Sequence, residues 1–289
     1  MIDGLVVVDK APGWTSHDVV AKCRGIFGQR RVGHSGTLDP AATGVLLVGL
    51  GRATRILRYL TDLPKSYVGE VVLGVATSTL DAEGEEVGRW DMSAVSLEQV
   101  REAAGRLVGP IDQVPPMVSA VKVGGRRLHE LAREGMEVRR QARRVVVHRL
   151  EVDATMERGV VRIEVDCSSG TYVRSLAADL GSALGGGAHL RALRRTGIGS
   201  FGLGEARPVE QLSSEVVLAP AEALRDYPMV DVVAEVARAV GHGRVLNQDE
   251  LGVSGAGPWG LLDELGRLLA VYEPVGGGRA KPAVVLAAE

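Results

Sequence analysis

The sequence predicts an α+β protein in which antiparallel strands pack under amphipathic helices and a small barrel-like unit follows. Three observations carry that reading. Residues 145–152 and 160–167 alternate apolar and polar with a period of two, are close enough in sequence to pair antiparallel, and put Val161, Ile163, Val165 and Cys167 on one face. Residues 96–108 and 173–184 carry apolar side chains at helical spacing, and the second run stops at the glycines 185–187. From Tyr227 onward, short apolar runs alternate with glycine turns, which is the pattern of a small barrel.

Taken in order, residues 4–9 read as a short buried strand, and 10–16 as a turn in which Thr15 or Ser16 caps the next helix. Val19, Val20, Cys23 and Ile26 are the stripe of that helix, which turns Cys23 toward the core. Residues 54–63 form a helix with Ile56, Leu57 and Leu60 inward, ended by Pro64. Lys65 and Ser66 lead Tyr67 into a strand at 68–73, and an acidic, turn-rich stretch at 77–88 follows. Ser96 caps the helix beginning there. Pro110, Pro115 and Pro116 break regular structure, a strand follows at 117–123, and Gly124-Gly125 turns into a basic helix at 128–134, with His129 exposed. The tail holds a helix at 233–240 and strands around Leu261, at 268–272 and at 283–286.

Composition narrows the function classes. A chain of 289 residues has room for one large domain and a small one. No basic and apolar leader opens the chain and no apolar run is long enough to span a bilayer, so a cytoplasmic protein is expected. Cys23 and Cys167 lie far apart without metal-ligand spacing, which predicts buried, reduced thiols and no zinc site. The net charge of −2 hides an uneven distribution. Between 122 and 144, Lys122, Arg126, Arg127, Arg133, Arg139, Arg140, Arg143 and Arg144 face only Glu130, Glu134 and Glu137, and Arg191, Arg194 and Arg195 form a second basic cluster. Basic residues gathered in this way suit a phosphate backbone.

Residues 31–50 hold Asp39, the only acid of that segment, among glycines at 33, 36 and 44 and ahead of the apolar run 45–50. Two readings stay open at this point. Asp39 followed by Pro40 is a favoured helix start, with the carboxylate as N-cap. A carboxylate held by backbone donors also stays ionised, as a nucleophile or base requires. Arg174 lies in the first turn of its helix, where a cation is disfavoured by roughly 0.3–1 kcal/mol unless an anion is close, so two readings stay open: a surface arginine in water, or one beside a phosphate or a buried carboxylate such as Asp39. Two motifs are rejected. Gly33-His34-Ser35 lacks the closing glycine of a hydrolase elbow, and the glycines at 197, 199 and 202 follow arginines instead of an apolar strand and precede Pro208 instead of a helix.

Five segments in order resemble the TruB family of tRNA pseudouridine synthases: Gly33-His-Ser-Gly-Thr-Leu-Asp-Pro-Ala-Ala-Thr-Gly44, Lys65-Ser-Tyr67, Pro116-Met-Val-Ser-Ala-Val-Lys122, Cys167-Ser-Ser-Gly-Thr-Tyr-Val-Arg-Ser175 and Gly187-Ala-His-Leu-Arg-Ala-Leu-Arg-Arg195. One departure is Ala11, which intervenes where the family places Pro directly after the lysine of its first motif. The resemblance implies a mixed, mainly antiparallel sheet flanked by helices, over residues 1–226 with a basic RNA-clamping insertion at about 118–145. It also implies a small PUA-like domain at 227–289. The implied reaction is isomerisation of uridine-55 in the tRNA T-loop, with base flipping and with no cofactor or metal.

The same resemblance implies residue roles. Asp39 is the catalytic aspartate, Arg174 its partner, and Tyr67 the aromatic that stacks on the uracil and helps move the C5 proton. Tyr172 and Leu193 line the base pocket, and His34 fills the space the nucleotide leaves. Lys122, Arg126, Arg127, Arg139, Arg140 and Arg143 contact the RNA backbone. The partner implied is the T-arm of tRNA, bound by a monomer with no membrane and no obligatory protein partner. Two other readings are a guide-RNA-dependent pseudouridine synthase and a non-catalytic tRNA-binding or folding protein.

Overall fold

The alternation at 145–152 and 160–167 becomes the strands Arg143–Ala154 and Val160–Cys167, which pair antiparallel with Val147 opposite Cys167. The computed structural model describes residues 2–119, 121–136 and 138–286, and the side chains at 122, 127, 129 and 133 lie outside that description, His129 among them. The described residues gather into two units, one within 1–40, 44–62 and 199–289 and the other within 41–43 and 63–198.

In the second unit five strands lie in the order Ala188–Ile198, Lys65–Leu73, Val160–Cys167, Arg143–Ala154, Gly109–Gln113, each antiparallel to its neighbour. The helices Leu97–Gly105 and Val173–Ala183 cover the apolar face. Val100, Ala103, Leu176, Ala177 and Leu180 meet Val161, Ile163, Val165 and Cys167 there, all buried as the period of two predicts. Burial of each valine or isoleucine is worth about 1.5–3 kcal/mol, so this face fixes the strand register. The expected cap at Ser96 is present as a capping box with Gln99, whose amide oxygen accepts from the Ser96 N–H.

Two sequence expectations need correction in this unit. Pro110 does not interrupt regular structure but sits opposite Val146 in Gly109–Gln113, where an edge strand tolerates the missing N–H. The strand expected at 117–123 shrinks to Lys122–Val123, paired with Arg126–Arg127 around glycines at φ +58 and +85. Residues 117–119 turn instead, and the Val118 carbonyl accepts from Arg174. The acidic, turn-rich stretch at 77–88 belongs to a hairpin, with 78–85 turning between the paired strands Val75–Thr77 and Glu86–Arg89. The basic helix forms as Leu128–Arg133, held by the buried Leu128 and Leu131.

In the first unit Gly4–Lys10 pairs along its length with Thr43–Leu50, which also takes Val32–Ser35 on its other side. Helix Ser16–Ile26 is capped by Thr15, with Asp18 completing the capping box, and packs Val19, Val20 and Cys23 onto these strands. The helix expected at 54–63 is divided into a 3₁₀ turn, Gly51–Arg55, and a short α-helix, Leu57–Asp62, with Ile56, Leu57 and Leu60 buried as expected.

The tail forms a curled five-stranded sheet in the order Met229–Asp231, Trp259–Leu262, Leu268–Gly276, Arg279–Val285, Leu246–Asn247 around Trp259, Leu261, Ala270 and Tyr272. Its first pair is parallel and the others antiparallel. Polar ties join it to residues 2–62: Arg52 reaches Asp3 and the Leu286 carbonyl, Arg58 and Tyr59 share Glu273, and the Tyr227 hydroxyl donates to the Tyr59 carbonyl. Among the described residues no helix is long and apolar enough to cross a membrane.

Candidate active site

No helix follows Asp39. The chain bends at Pro40 and Ala41 and runs directly into Thr43–Leu50, because the β-branched and leucine run pairs with Gly4–Lys10 and demands extended backbone. The N-cap reading is therefore overturned, and the loop is held by other means. Ser16 Oγ accepts from the Leu38 N–H at 2.9 Å and stands 3.2 Å from the Leu38 carbonyl, to which it donates. Pro40 is fixed through its carbonyl, which accepts from the Gly13 N–H at 2.9 Å and from Lys10 Nζ at 3.1 Å. Lys10 is fully buried and also donates to the Ala11 and Trp14 carbonyls at 3.0 and 2.7 Å. Asp39, half-buried, thus stands between two anchored residues. Gly36 at φ +75 and Gly44 at φ +101 supply the bends on either side.

Lys10 was not singled out in the sequence, although a lysine closing an apolar strand before a turn is the available signal. Its three carbonyl partners make a testable point. Lys10→Met is expected to lower stability by roughly 2–4 kcal/mol, because buried carbonyls lose charged donors. Amide exchange should quicken at residues 36–39 and not in the strands around them. Unchanged exchange in that loop would show that Lys10 does not hold it.

Arg174 lies in the first turn of Val173–Ala183, as expected, and its side chain is only 6% exposed. The anion that the helix dipole calls for is present. Arg174 Nη1 stands 3.0 Å from Asp81 Oδ2, with further bonds to the Thr79 carbonyl at 3.3 Å and the Val118 carbonyl at 2.9 Å. Asp81 is itself held by the Thr79 hydroxyl and the Glu83 N–H. The loop that carries it clips onto Ala188–Ile198 through reciprocal bonds, Leu190 N–H to the Leu80 carbonyl and Ala82 N–H to the Leu190 carbonyl. Leu80 takes φ +65, a conformation that costs a non-glycine residue of order 1–3 kcal/mol and aims the following carboxylate.

Tyr172 occupies the N-cap of the same helix without a side-chain cap of its own. Gln113, 2% exposed, substitutes: its Oε1 accepts from the Tyr172 N–H at 2.7 Å and its Nε2 donates to the Tyr172 carbonyl at 3.1 Å. Asp81 and Gln113 are partners of these candidate residues that sequence reasoning missed.

Tyr67 and Leu193 are half-buried and both pack against the second unit's core. Leu193 faces Gly69 across the strands, and a Cβ at Gly69 would lie 2.9 Å from the Ala192 carbonyl and 3.4 Å from Leu193 Cδ1, so glycine makes the room. The second basic cluster is corrected at one position. Arg191 is tied to Glu70 and Glu157 and Arg194 to the Thr43 hydroxyl, but Arg195 is 1% exposed and faces no solvent. Tyr67, Tyr172, Arg174 and Leu193 thus belong to the second unit, and Asp39 and His34 to the first, His34 half-buried on Val32–Ser35.

The basic segment is partly self-compensated. Arg126 pairs with Glu134, Arg140 donates to the Pro115 carbonyl, and Arg144 lies 3.4 Å from Asp112, while Arg139 and Arg143 are exposed. The side chains of Lys122 and Arg127 fall outside the described residues. Burial pushes the Cys23 and Cys167 thiols up to about 11, so both are inert near neutrality. Among the described residues no three His, Cys, Asp or Glu side chains converge as a metal site.

Comparison with known proteins extends the geometry. Residues 24–173 match the family model described as TruB family pseudouridylate synthase (N terminal domain), and residues 174–240 match the tRNA pseudouridylate synthase B C-terminal domain. The chain is similar to tRNA pseudouridine synthase B of Mycobacterium sp. (strain KMS), 48% identical over 98% of this chain and 96% of that protein. The same enzyme of Mycobacterium tuberculosis (strain ATCC 25618 / H37Rv) is 45% identical over 98% and 95%. Among solved structures, a chain of a Cbf5-Nop10-Gar1 complex matches with a TM-score of 0.73 and 26% identity, over 99% of this chain and 84% of that one. A chain of an H/ACA RNP bound to a substrate RNA containing 2′-deoxyuridine shares the fold with a TM-score of 0.75 and 24% identity, over 99% and 85%.

Proposed function

The chain belongs to the TruB family of pseudouridylate synthases, and from that premise we propose that it isomerises uridine-55 in the T-loop of tRNA, with Asp39 as the catalytic carboxylate. The enzyme is a tRNA pseudouridine synthase and an isomerase; the observation that carries this is identity of 45–48% along nearly the whole chain to enzymes of that name. In the isomerisation the C1′–N1 bond breaks, the uracil turns, a C1′–C5 bond forms, and the proton lost from C5 is balanced by one gained at N1. A single anchored carboxylate suits both attack and proton transfer. The anchoring of Leu38 and Pro40 supports this role by fixing where Asp39 sits.

Tyr67 stacks on the extruded uracil and aids removal of the C5 proton, Tyr172 and Leu193 line its pocket, His34 fills the vacated place in the RNA, and Arg174 holds the charge of Asp39. Arg139 and Arg143, exposed on the basic segment, meet phosphates together with Lys122, Arg126, Arg127 and Arg140, so recognition follows folded loop shape. The enzyme works as a monomer in the cytoplasm without a protein partner.

The test is conversion by the purified chain alone. Incubated with a transcribed T-arm stem-loop, it should yield pseudouridine at the T-loop uridine, mapped chemically because product and substrate have equal mass. Conversion only after a guide RNA or partner protein is added would favour the guided reading. Binding without conversion would leave a tRNA-binding protein.

A further inference from the structure

Among the described residues, Arg195 is a buried cation that the proposed roles leave unused. Arg195 is 1% exposed, which rules it out as a phosphate contact despite its place in a basic cluster. It sits on Ala188–Ile198 directly opposite Tyr67 on Lys65–Leu73, and Val165 lies opposite Tyr67 on the other side, so the three side chains share one face of the sheet. The Arg195 guanidinium hydrogen-bonds the Tyr67 side chain. Arginine has donors only, so the phenolic oxygen accepts and the phenol's own hydrogen points away from the guanidinium. Pairing slips between Arg195 and Gly197, an irregularity of the kind that re-aims a side chain. The neighbouring Arg194 donates to Thr43 Oγ1 instead, so the adjacent arginines serve different places.

Burying a guanidinium is costly, and an ordinary stacking platform in this core could be a phenylalanine packed by valines. The hydroxyl on Tyr67 and the cation on Arg195 form a pair that makes sense together. We propose that Arg195 is a positioning residue for the isomerisation, acting through the Tyr67 hydroxyl to fix the ring at the depth and angle at which it meets the uracil. This rests on the reading that Tyr67 contacts the target base. A ring that rotates about its Cβ–Cγ bond or tilts would still bind RNA but would present a misplaced face to the reacting base, and misplacement of about 1 Å can cost on the order of 10²-fold in rate. The effect belongs in turnover and not in tRNA affinity.

A double-mutant cycle tests it with the full chain and transcribed tRNA, reading single-turnover rate and Kd separately. Arg195→Met is expected to slow pseudouridine formation by about 10- to 100-fold while changing Kd by less than about threefold. Tyr67→Phe removes the hydroxyl through which Arg195 acts, so adding Arg195→Met to it should cost less than about threefold more. If the two costs multiply, Arg195 serves the fold alone and the inference is overturned. It is also overturned if Arg195→Met leaves the rate intact or if it weakens tRNA binding as much as turnover. Should Arg195→Met fail to fold, Arg195→Lys takes its place in the cycle, because lysine keeps the buried charge and loses the planar fork. Tyr67→Ala separates the two readings: full activity in that variant removes Tyr67 from the site, whereas an inactive Tyr67→Ala beside multiplying costs in the cycle rejects only the role of Arg195.

Discussion

Asp39→Asn is expected to abolish pseudouridine formation, by at least about 10²–10⁴-fold, while tRNA binding and its salt dependence persist. Asparagine has nearly the shape of aspartate but no negative charge, so it can neither attack as a nucleophile nor take a proton. The fold should tolerate the change, because the loop is held through its neighbours: Ser16 grips both backbone groups of Leu38, and Lys10 and Gly13 grip the Pro40 carbonyl. None of those bonds uses the Asp39 side chain. Affinity should survive because the basic segment, with Arg139 and Arg143 exposed, lies on another part of the chain. Single-turnover assays with excess enzyme, paired with filter binding at several salt concentrations, measure the two quantities independently. Product at the wild-type rate would remove Asp39 from the chemistry, and joint loss of binding would recast it as an RNA contact.

Much of this was legible because local physics wrote it into spacing. Val161, Ile163, Val165 and Cys167 show their buried face by alternation, Thr15 and Ser96 announce helix starts, and Cys23 falls on an apolar stripe. What stayed hidden depends on partners distant in the chain. The anion beside Arg174 is Asp81, which lies 93 residues away in an acidic, turn-rich stretch. Gln113 meets Tyr172 across 59 residues, and Arg195 meets Tyr67 only because their strands are neighbours in the sheet. Sheet order decides these meetings, and residue spacing does not encode it. Local signals also misled where a tertiary demand prevailed: Asp39-Pro40 has the residues of a helix start, yet the pairing of Thr43–Leu50 with Gly4–Lys10 leaves no helix there. Residues 117–119 have strand residues, yet the Val118 carbonyl is spent on Arg174.

Arg174→Ala and Asp81→Asn together resolve what the buried ion pair does. Arg174→Ala leaves the Asp81 carboxylate, 17% exposed at the side chain, and the Thr79 and Val118 carbonyls without their cation, so a stability loss of about 3–5 kcal/mol is expected. Turnover by the folded fraction should fall by on the order of 10²-fold and tRNA affinity by far less, because Arg174 is buried and offers little to a phosphate. Asp81→Asn is the sharper variant. It keeps the shape and the oxygen nearest Arg174 but removes the charge, so its stability cost should be smaller than that of Arg174→Ala. If Asp81 serves only to neutralise a cation at the positive end of Val173–Ala183, the variant melts earlier and each folded molecule turns over normally. If Asp81 instead sets a direction of the guanidinium that the reaction needs, turnover falls even where thermal melts show the protein fully folded. The expected result is the second, because the loop carrying Asp81 is clipped to a strand and strained at Leu80, an arrangement that fixes direction as well as charge. Normal turnover in folded Asp81→Asn would confine the pair to a structural role.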